Sequence, residues 1–205
     1  MKKVTNIGIS PFNLVGQLNF KMDGQSYDAT AFVVSNKGIF TAAHNLYDYE
    51  EKHTATEAYF SLWVNGKMKT WALDLGADGV IMPDEWIDDG DDNYDMAVCV
   101  IKDESFKDAA IPLLVYDKNL QEGFKFQAMA IGFQGENGMY YCEGEATALE
   151  EGIVLSGDMV EGASGGPWMN GTNVYGSTRD ASGTDLASPN NGVTAKELID
   201  ALNKV

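Results

Sequence analysis

Apolar residues along this chain come in short bursts rather than long stripes. The segments LVGQLNF (14–20), ATAFVVS (29–35), AYFSLWV (58–64), MAVCVI (96–101), FKFQAMAIGF (124–133) and GMYYCEG (138–144) have strand length and are rich in aromatic and β-branched residues. Polar or glycine-containing breaks separate them, and no helical period is sustained through this part of the chain. The pattern predicts an all-β sandwich or barrel arrangement. The closing segment TAKELIDALNKV (194–205) differs: Leu198, Ile199 and Leu202 fall at helical spacing, and Thr194 with Glu197 has the spacing of a capping box. A β protein ending in one docked amphipathic helix is the expectation.

Length and composition narrow this picture. A chain of 205 residues holds one substantial domain or two small lobes sharing an interface, and its 44% apolar content argues against disorder. No run approaches the roughly 18 apolar residues of a membrane span, so no membrane partner is expected. The net charge of −17 opposes binding to nucleic acid, while serving solubility or the attraction of basic partners. The opening MKKVTNIGISPFNLVG is too interrupted by Asn6, Ser10, Pro11 and Asn13 for a secretory leader. The expected location is therefore the cytoplasm, or outside the cell if a leader has been removed. Cys99, inside an apolar strand-like run, reads as a small buried hydrophobe, and two cysteines do not make a disulfide scaffold. With two histidines and two cysteines far apart, neither a four-ligand zinc site nor any other metal or cofactor is expected. The acidic run DEWIDDGDDNYD (84–95) lacks EF-hand spacing and reads as a solvated loop.

Three stretches carry candidate chemistry. His44 in GIFTAAHNLYD follows a short apolar strand and two alanines, whose small size would let an imidazole sit uncrowded at a strand end; a core histidine fits the stretch equally well. Asp95 opens the strand DMAVCV, and an aspartate there is either an ordinary turn residue or an acid that orients an imidazole. Ser164 lies in VEGASGGPW (160–168), a glycine-rich segment that suits a plain turn. It equally suits a nucleophile with backbone N–H groups converging on a reacting oxygen. Read as G-x-S-x-G it also fits the nucleophile elbow of α/β-hydrolases, but that fold places its histidine after the serine. Here His44 and His53 both precede Ser164, so the elbow reading fails.

The order His, Asp, Ser, carried by TAAH, DMAV and GASGGP in a β-rich chain, resembles the chymotrypsin-like (trypsin-fold) serine peptidases over roughly residues 15–205. The resemblance implies two packed six-stranded antiparallel β-barrels with a C-terminal α-helix and a catalytic cleft between the barrels. The implied lobes are residues 1–108 and 109–192, with the helix over 193–205. By motif match, His44 is the general base, Asp95 the orienting acid and Ser164 the nucleophile, with Gly162 and Ser164 N–H groups forming the oxyanion hole. Animal members carry an aspartate immediately before the serine that pairs with a newly cut N-terminus. Ala163 stands here instead, so activation by such a salt bridge is not available. Without secreted-type disulfides, the chain is more similar to the bacterial branch, which includes glutamate-specific endopeptidases.

The family's primary pocket points to Asp158, Thr178 and Arg179 as substrate-binding residues. Asp158 lies six residues before Ser164, where trypsin-type members carry the acid that binds Lys or Arg, although relatives with other preferences carry it too. Thr178 stands where glutamate-specific relatives place a histidine. Arg179 is the only arginine in the chain, and its planar fork suits carboxylates. It either favours an acidic substrate side chain or is neutralised by Asp158 or Asp180, leaving the sign of a charged preference open. The leading expectation is a serine endopeptidase acting on protein or peptide substrates through an acyl-enzyme. A narrow intracellular regulatory protease with a dedicated target is one form of it, and a catalytically silent trypsin-fold binding module is the alternative.

Overall fold

The computed structural model describes residues 1–109, 111–135, 138–150, 152–157, 159, 162–180 and 185–205. The short β1 (Lys2–Lys3) precedes β2 (Val15–Met22), β3 (Gln25–Ser35), β4 (Gly38–Thr41), the ribbon of β5 (Tyr47–Asp48) and β6 (His53–Thr54), β7 (Glu57–Val64), β8 (Lys67–Ala72), β9 (Val80–Ile81) and β10 (Ala97–Val100). The first sheet runs β8-β7-β2-β3-β4-β10-β9, with antiparallel neighbours. It curls shut where the Asp74 N–H, just past β8, donates to the Val100 carbonyl at 3.0 Å. In β2 the residues alternate as a barrel wall requires, with Leu18, Phe20 and Met22 buried and Gln17, Asn19 and Lys21 turned outward.

The second half contains β11 (Leu114–Val115), β12 (Lys125–Phe133), β13 (Met139–Leu149), β14 (Gly152–Ser156), β15 (Pro167–Asn170), β16 (Asn173–Ser177) and β17 (Asp185–Ser188). Its sheet order is β11-β16-β15-β12-β13-β14-β17, and β1 adds to β13. The chain continuing from β16 closes this barrel through a bridge between Asp180 and Ala187. Two β-barrels thus form as expected, with an all-β body and a C-terminal helix.

In the first barrel, the second part of β3 (residues 29–35) and all of β4 and β10 are buried on both faces. Val33 of β3, Ile39 of β4 and Cys99 of β10 point into their own barrel. Phe32, Val34, Phe40, Val98 and Val100 point the other way, against Ile131, Phe133, Met169 and Val174 of the second barrel. Phe126, Trp168, Ile153 and Leu155 fill the second barrel itself. The helix α2 (Gly192–Leu202) covers the shared core with Ala195, Leu198 and Leu202, packing on β10, β3 and β9 of the first barrel.

Two local expectations change. Asn191 caps α2, its side chain accepting from the Thr194 N–H at 3.4 Å, so the helix begins before Thr194 and that residue sits in its first turn. The acidic run is not simply a solvated loop. Residues Asp84–Asp89 form the short helix α1, which Trp86 anchors by burying its indole edge-on against Tyr49. Gly90 ends α1 in the left-handed conformation, with no room for a side chain against Tyr49.

Among the described residues, no helix is long and apolar enough to cross a membrane. Truncating Leu202→Ala removes a fully buried contact of α2 and is expected to cost about 2–5 kcal/mol of stability in urea unfolding. Lys196→Ala, on the exposed face of the same helix, should change it by no more than about 0.5 kcal/mol.

Candidate active site

Strand β4 leads through the buried Thr41, Ala42 and Ala43 into a single 3-10 turn, Ala43–Asn45, which delivers His44 to the cleft between the barrels. Asp95 stands at the end of another 3-10 turn, Asp92–Tyr94, just ahead of β10, and only 1% of its side chain is exposed. Because β4 and β10 are hydrogen-bonded neighbours, Ala97 opposite Thr41, both ends arrive side by side. The Asp95 carboxylate is spent on one residue: Oδ1 accepts from the His44 backbone N–H at 2.9 Å, and Oδ2 lies 2.7 Å from His44 Nδ1. That pairing assigns the ring proton to Nδ1 and leaves Nε2 as the acceptor. About 36% of the His44 side chain remains exposed.

Burial works against a proton on the His44 ring and is the largest single influence. The Asp95 charge and hydrogen bond, with Asp180 and Asp92 adding, outweigh it and hold the imidazole above the ordinary histidine value. The other histidine, His53, lies on the β5–β6 ribbon and pairs with Asp23 at 2.7 Å, with half its surface exposed.

Ser164 and Gly162 line the same cleft as His44, together with Asn45, Gln134 and Gly135, around a volume of about 770 Å³. The glycines of this loop answer to close approach. A Cβ on Gly165 would lie 2.2 Å from Thr41 Oγ1 and 2.3 Å from the Thr30 carbonyl, so only glycine lets the loop sit on the middle of β3 and the end of β4. At Gly162, φ is +93°, and a Cβ would stand 2.8 Å from the Phe133 carbonyl. Ala163 turns into the core of the second barrel, where it is fully buried.

The loop is bonded to the first barrel at several points. The Thr30 N–H donates to the Ser164 carbonyl at 2.9 Å, and Asn45 Nδ2 reaches the same oxygen at 3.4 Å. Thr30 Oγ1 donates to the Gly162 carbonyl at 2.7 Å and accepts from the Phe133 N–H at 2.8 Å. Asn45 Nδ2 also donates to Thr41 Oγ1, which donates in turn to the Thr30 carbonyl. Sequence reasoning missed Thr30, Thr41 and Asn45. The only available signal was polar residues inside otherwise apolar strand ends.

The specificity candidates are placed apart. Asp158 lies outside the described residues. Thr178 is fully buried: its hydroxyl accepts from the Trp168 indole N–H at 2.9 Å, and its backbone bonds to Gly165 and Gly166. The Arg179 guanidinium lies 3.4 Å from Asp92, beside a hollow bordered by Gly90, Asp91 and Asn93. Cys99 and Cys142 are buried and not joined in a disulfide, and burial pushes the Cys99 thiol up. Among the described residues, no three or more His, Cys, Asp or Glu side chains gather to hold a metal ion.

A buried carboxylate is thus clamped on an imidazole that shares the cleft between two β-barrels with a serine in a glycine-rich loop. The trypsin-like peptidase domain matches residues 29–174. The chain belongs to the trypsin-like peptidase family, and its fold is that of the chymotrypsin-like serine proteases.

Similar solved structures include the thermostable serine protease AL20 from an extremophilic microorganism, at 19% identity and a TM-score of 0.77, covering 94% of this chain and 98% of that one. The protease Anisep from Arthrobacter nicotinovorans has 19% identity and a TM-score of 0.76, covering 93% and 96%. A Glu endopeptidase in complex with MPD has 16% identity and a TM-score of 0.80, covering 100% and 96%. At these identities the likeness is one of fold. No curated protein sequence matches the chain.

The charge arrangement around His44 makes a direct test. Its ring is expected to titrate above the ordinary value of about 6.5 when followed by NMR. In Asp95→Asn, the nearest charge is gone while burial remains, so the midpoint should move down; an unmoved midpoint would contradict the assignment.

Proposed function

We propose that His44, Asp95 and Ser164 act as a catalytic triad that hydrolyses peptide bonds through an acyl-enzyme. The observation that carries this reading is the pair of hydrogen bonds from His44 to buried Asp95, which leaves Nε2 for a cleft that Ser164 and Gly162 also line. Ser164 Oγ attacks the peptide carbonyl as His44 Nε2 takes its proton, and Asp95 stabilises the imidazolium that results. The N–H groups of Gly162 and Ser164 receive the charge that develops on the carbonyl oxygen. His44 then gives the proton to the leaving amine, the tetrahedral intermediate collapses to the ester, and a water activated by the same imidazole releases the acid. His44 must be neutral for the first step. Because its affinity for protons is raised, turnover should fall on the acid side at a pH above the ordinary histidine value.

Partners in this reading are peptide or protein substrates. The Arg179–Asp92 pair supports a guanidinium already neutralised within the protein rather than one offered to an acidic side chain before the cut. A single dedicated target is the narrower form of the reading, against which broad digestion of unrelated denatured proteins would count.

A fluorophosphonate probe should label Ser164, with labelling and proteolysis lost together in Ser164→Ala. Labelling that survives the substitution would refute the nucleophile, and a folded protein without turnover would point to a silent module. In a peptide-library profile, Arg179→Ala should leave the preference for the residue before the cut unchanged. Loss of an acidic preference in that variant would instead assign Arg179 to substrate.

A further inference from the structure

We propose that the Thr30 hydroxyl is the positioning group that holds the oxyanion loop in its working geometry, an inference resting on Ser164 as nucleophile. Both residues assigned to donate to the oxyanion, Gly162 and Ser164, are held through their carbonyls by this one residue of β3. Its side chain fixes the first at 2.7 Å and its backbone N–H the second at 2.9 Å. A hydroxyl has a single proton to give. The Phe133 N–H occupies Thr30 Oγ1 as a donor, so that proton is directed to the Gly162 carbonyl. Thr30 is fully buried, so its hydroxyl presents no surface at which bulk water could take over the bond.

The bond matters because of what it spans. Thr30 belongs to the barrel that carries His44 and Asp95, whereas Gly162 and Ser164 belong to the other. Gly162 itself, at φ +93°, has no side chain to hold its own conformation. Ala163 supplies no charged anchor either, since it is a methyl group in the second core. The Thr30 hydroxyl therefore fixes the loop from inside the fold, next to the base the loop must face, without a charge or a chain terminus. Asn45 and Thr41 brace it from behind: Asn45 donates to Thr41 Oγ1, and Thr41 donates to the Thr30 carbonyl. A hydrogen-bonded chain of this kind polarises and stiffens its members.

The test compares Thr30→Val, which keeps the shape and removes the proton, with Thr30→Ser, which keeps the proton. Misplacement of a catalytic group by about 1 Å can cost on the order of 100-fold. Thr30→Val is therefore expected to lower kcat by about 10- to 100-fold with little change in KM. It should weaken a peptide boronic acid, which mimics the tetrahedral intermediate, by the same factor. Thr30→Ser should restore both. A Val variant with wild-type kcat and boronate affinity would overturn the proposal, and so would a Ser variant as impaired as Val, since packing of the methyl would then be the cause. If Thr30→Val does not fold, Thr30→Ala against Thr30→Ser makes the same comparison. Amide hydrogen exchange across 162–166 supplies a readout independent of turnover. Exchange should quicken in Val and not in Ser, and equal exchange in all variants would overturn the role of Thr30 in holding the loop. Failure of the wild-type protein to take a fluorophosphonate at Ser164 would defeat the catalytic reading instead, and the exchange comparison would still decide the role of Thr30.

Discussion

The structure depends on strand segments that have no solvent side: residues 29–35 of β3, all of β4 and all of β10. β3, β4 and β10 each present alternate residues to two different cores, so their pitch is fixed by packing from both directions. A register slip of one residue in any of them would exchange Val33 with Phe32, or Cys99 with Val98, and overfill one core while emptying the other. The ends of these strands are consequently the most closely determined points of the molecule. His44 follows β4, Asp95 precedes β10, and Thr30 lies within β3. The chemistry is mounted where the scaffold has least freedom.

Against this rigid floor the serine loop lies unusually low. Thr41, Ala42 and Thr30 come so near that Gly165 can carry no side chain, and the Ile131 carbonyl imposes the same at Gly166. Closeness on this scale lets main-chain groups from the two barrels bond directly, as the Thr30 N–H does to the Ser164 carbonyl. The glycines are thus there for contact as much as for turning. Their absence of side chains brings His44 and Ser164 to one cleft without a long side chain bridging the gap.

Much of this was legible in the sequence, for reasons that differ between elements. The strand segments showed because their burial is repetitive: MAVCVI is apolar throughout and ATAFVVS is broken only by Thr30 and Ser35, as segments buried on both faces tend to be. The order of His44, Asp95 and Ser164 showed because chain order is a property of sequence, whereas the separation of their atoms is not. The start of α2 was misplaced because Thr194 and Glu197 have the spacing of a cap, yet Asn191 takes that role. Helix α1 was hidden by its charges, since two apolar side chains, the buried Trp86 and Ile87 packed on the same core, outweigh four carboxylates in deciding how Asp84–Asp89 folds. Thr30 was invisible for a related reason. A threonine in a strand satisfies β-propensity, and nothing local reveals that its hydroxyl spans two barrels.

The position of α2 bears on the time at which the molecule becomes whole. The helix is formed by residues 192–202 yet covers Phe40 and Val98 of the first barrel, so its partners are made long before it. During synthesis those aromatic and aliphatic faces wait first for Ile131, Phe133, Met169 and Val174 of the second barrel and then for the helix. The barrels therefore do not mature in turn. The first remains open on one side until the second has been completed and the chain has returned, and the cleft between them acquires its final walls at that moment.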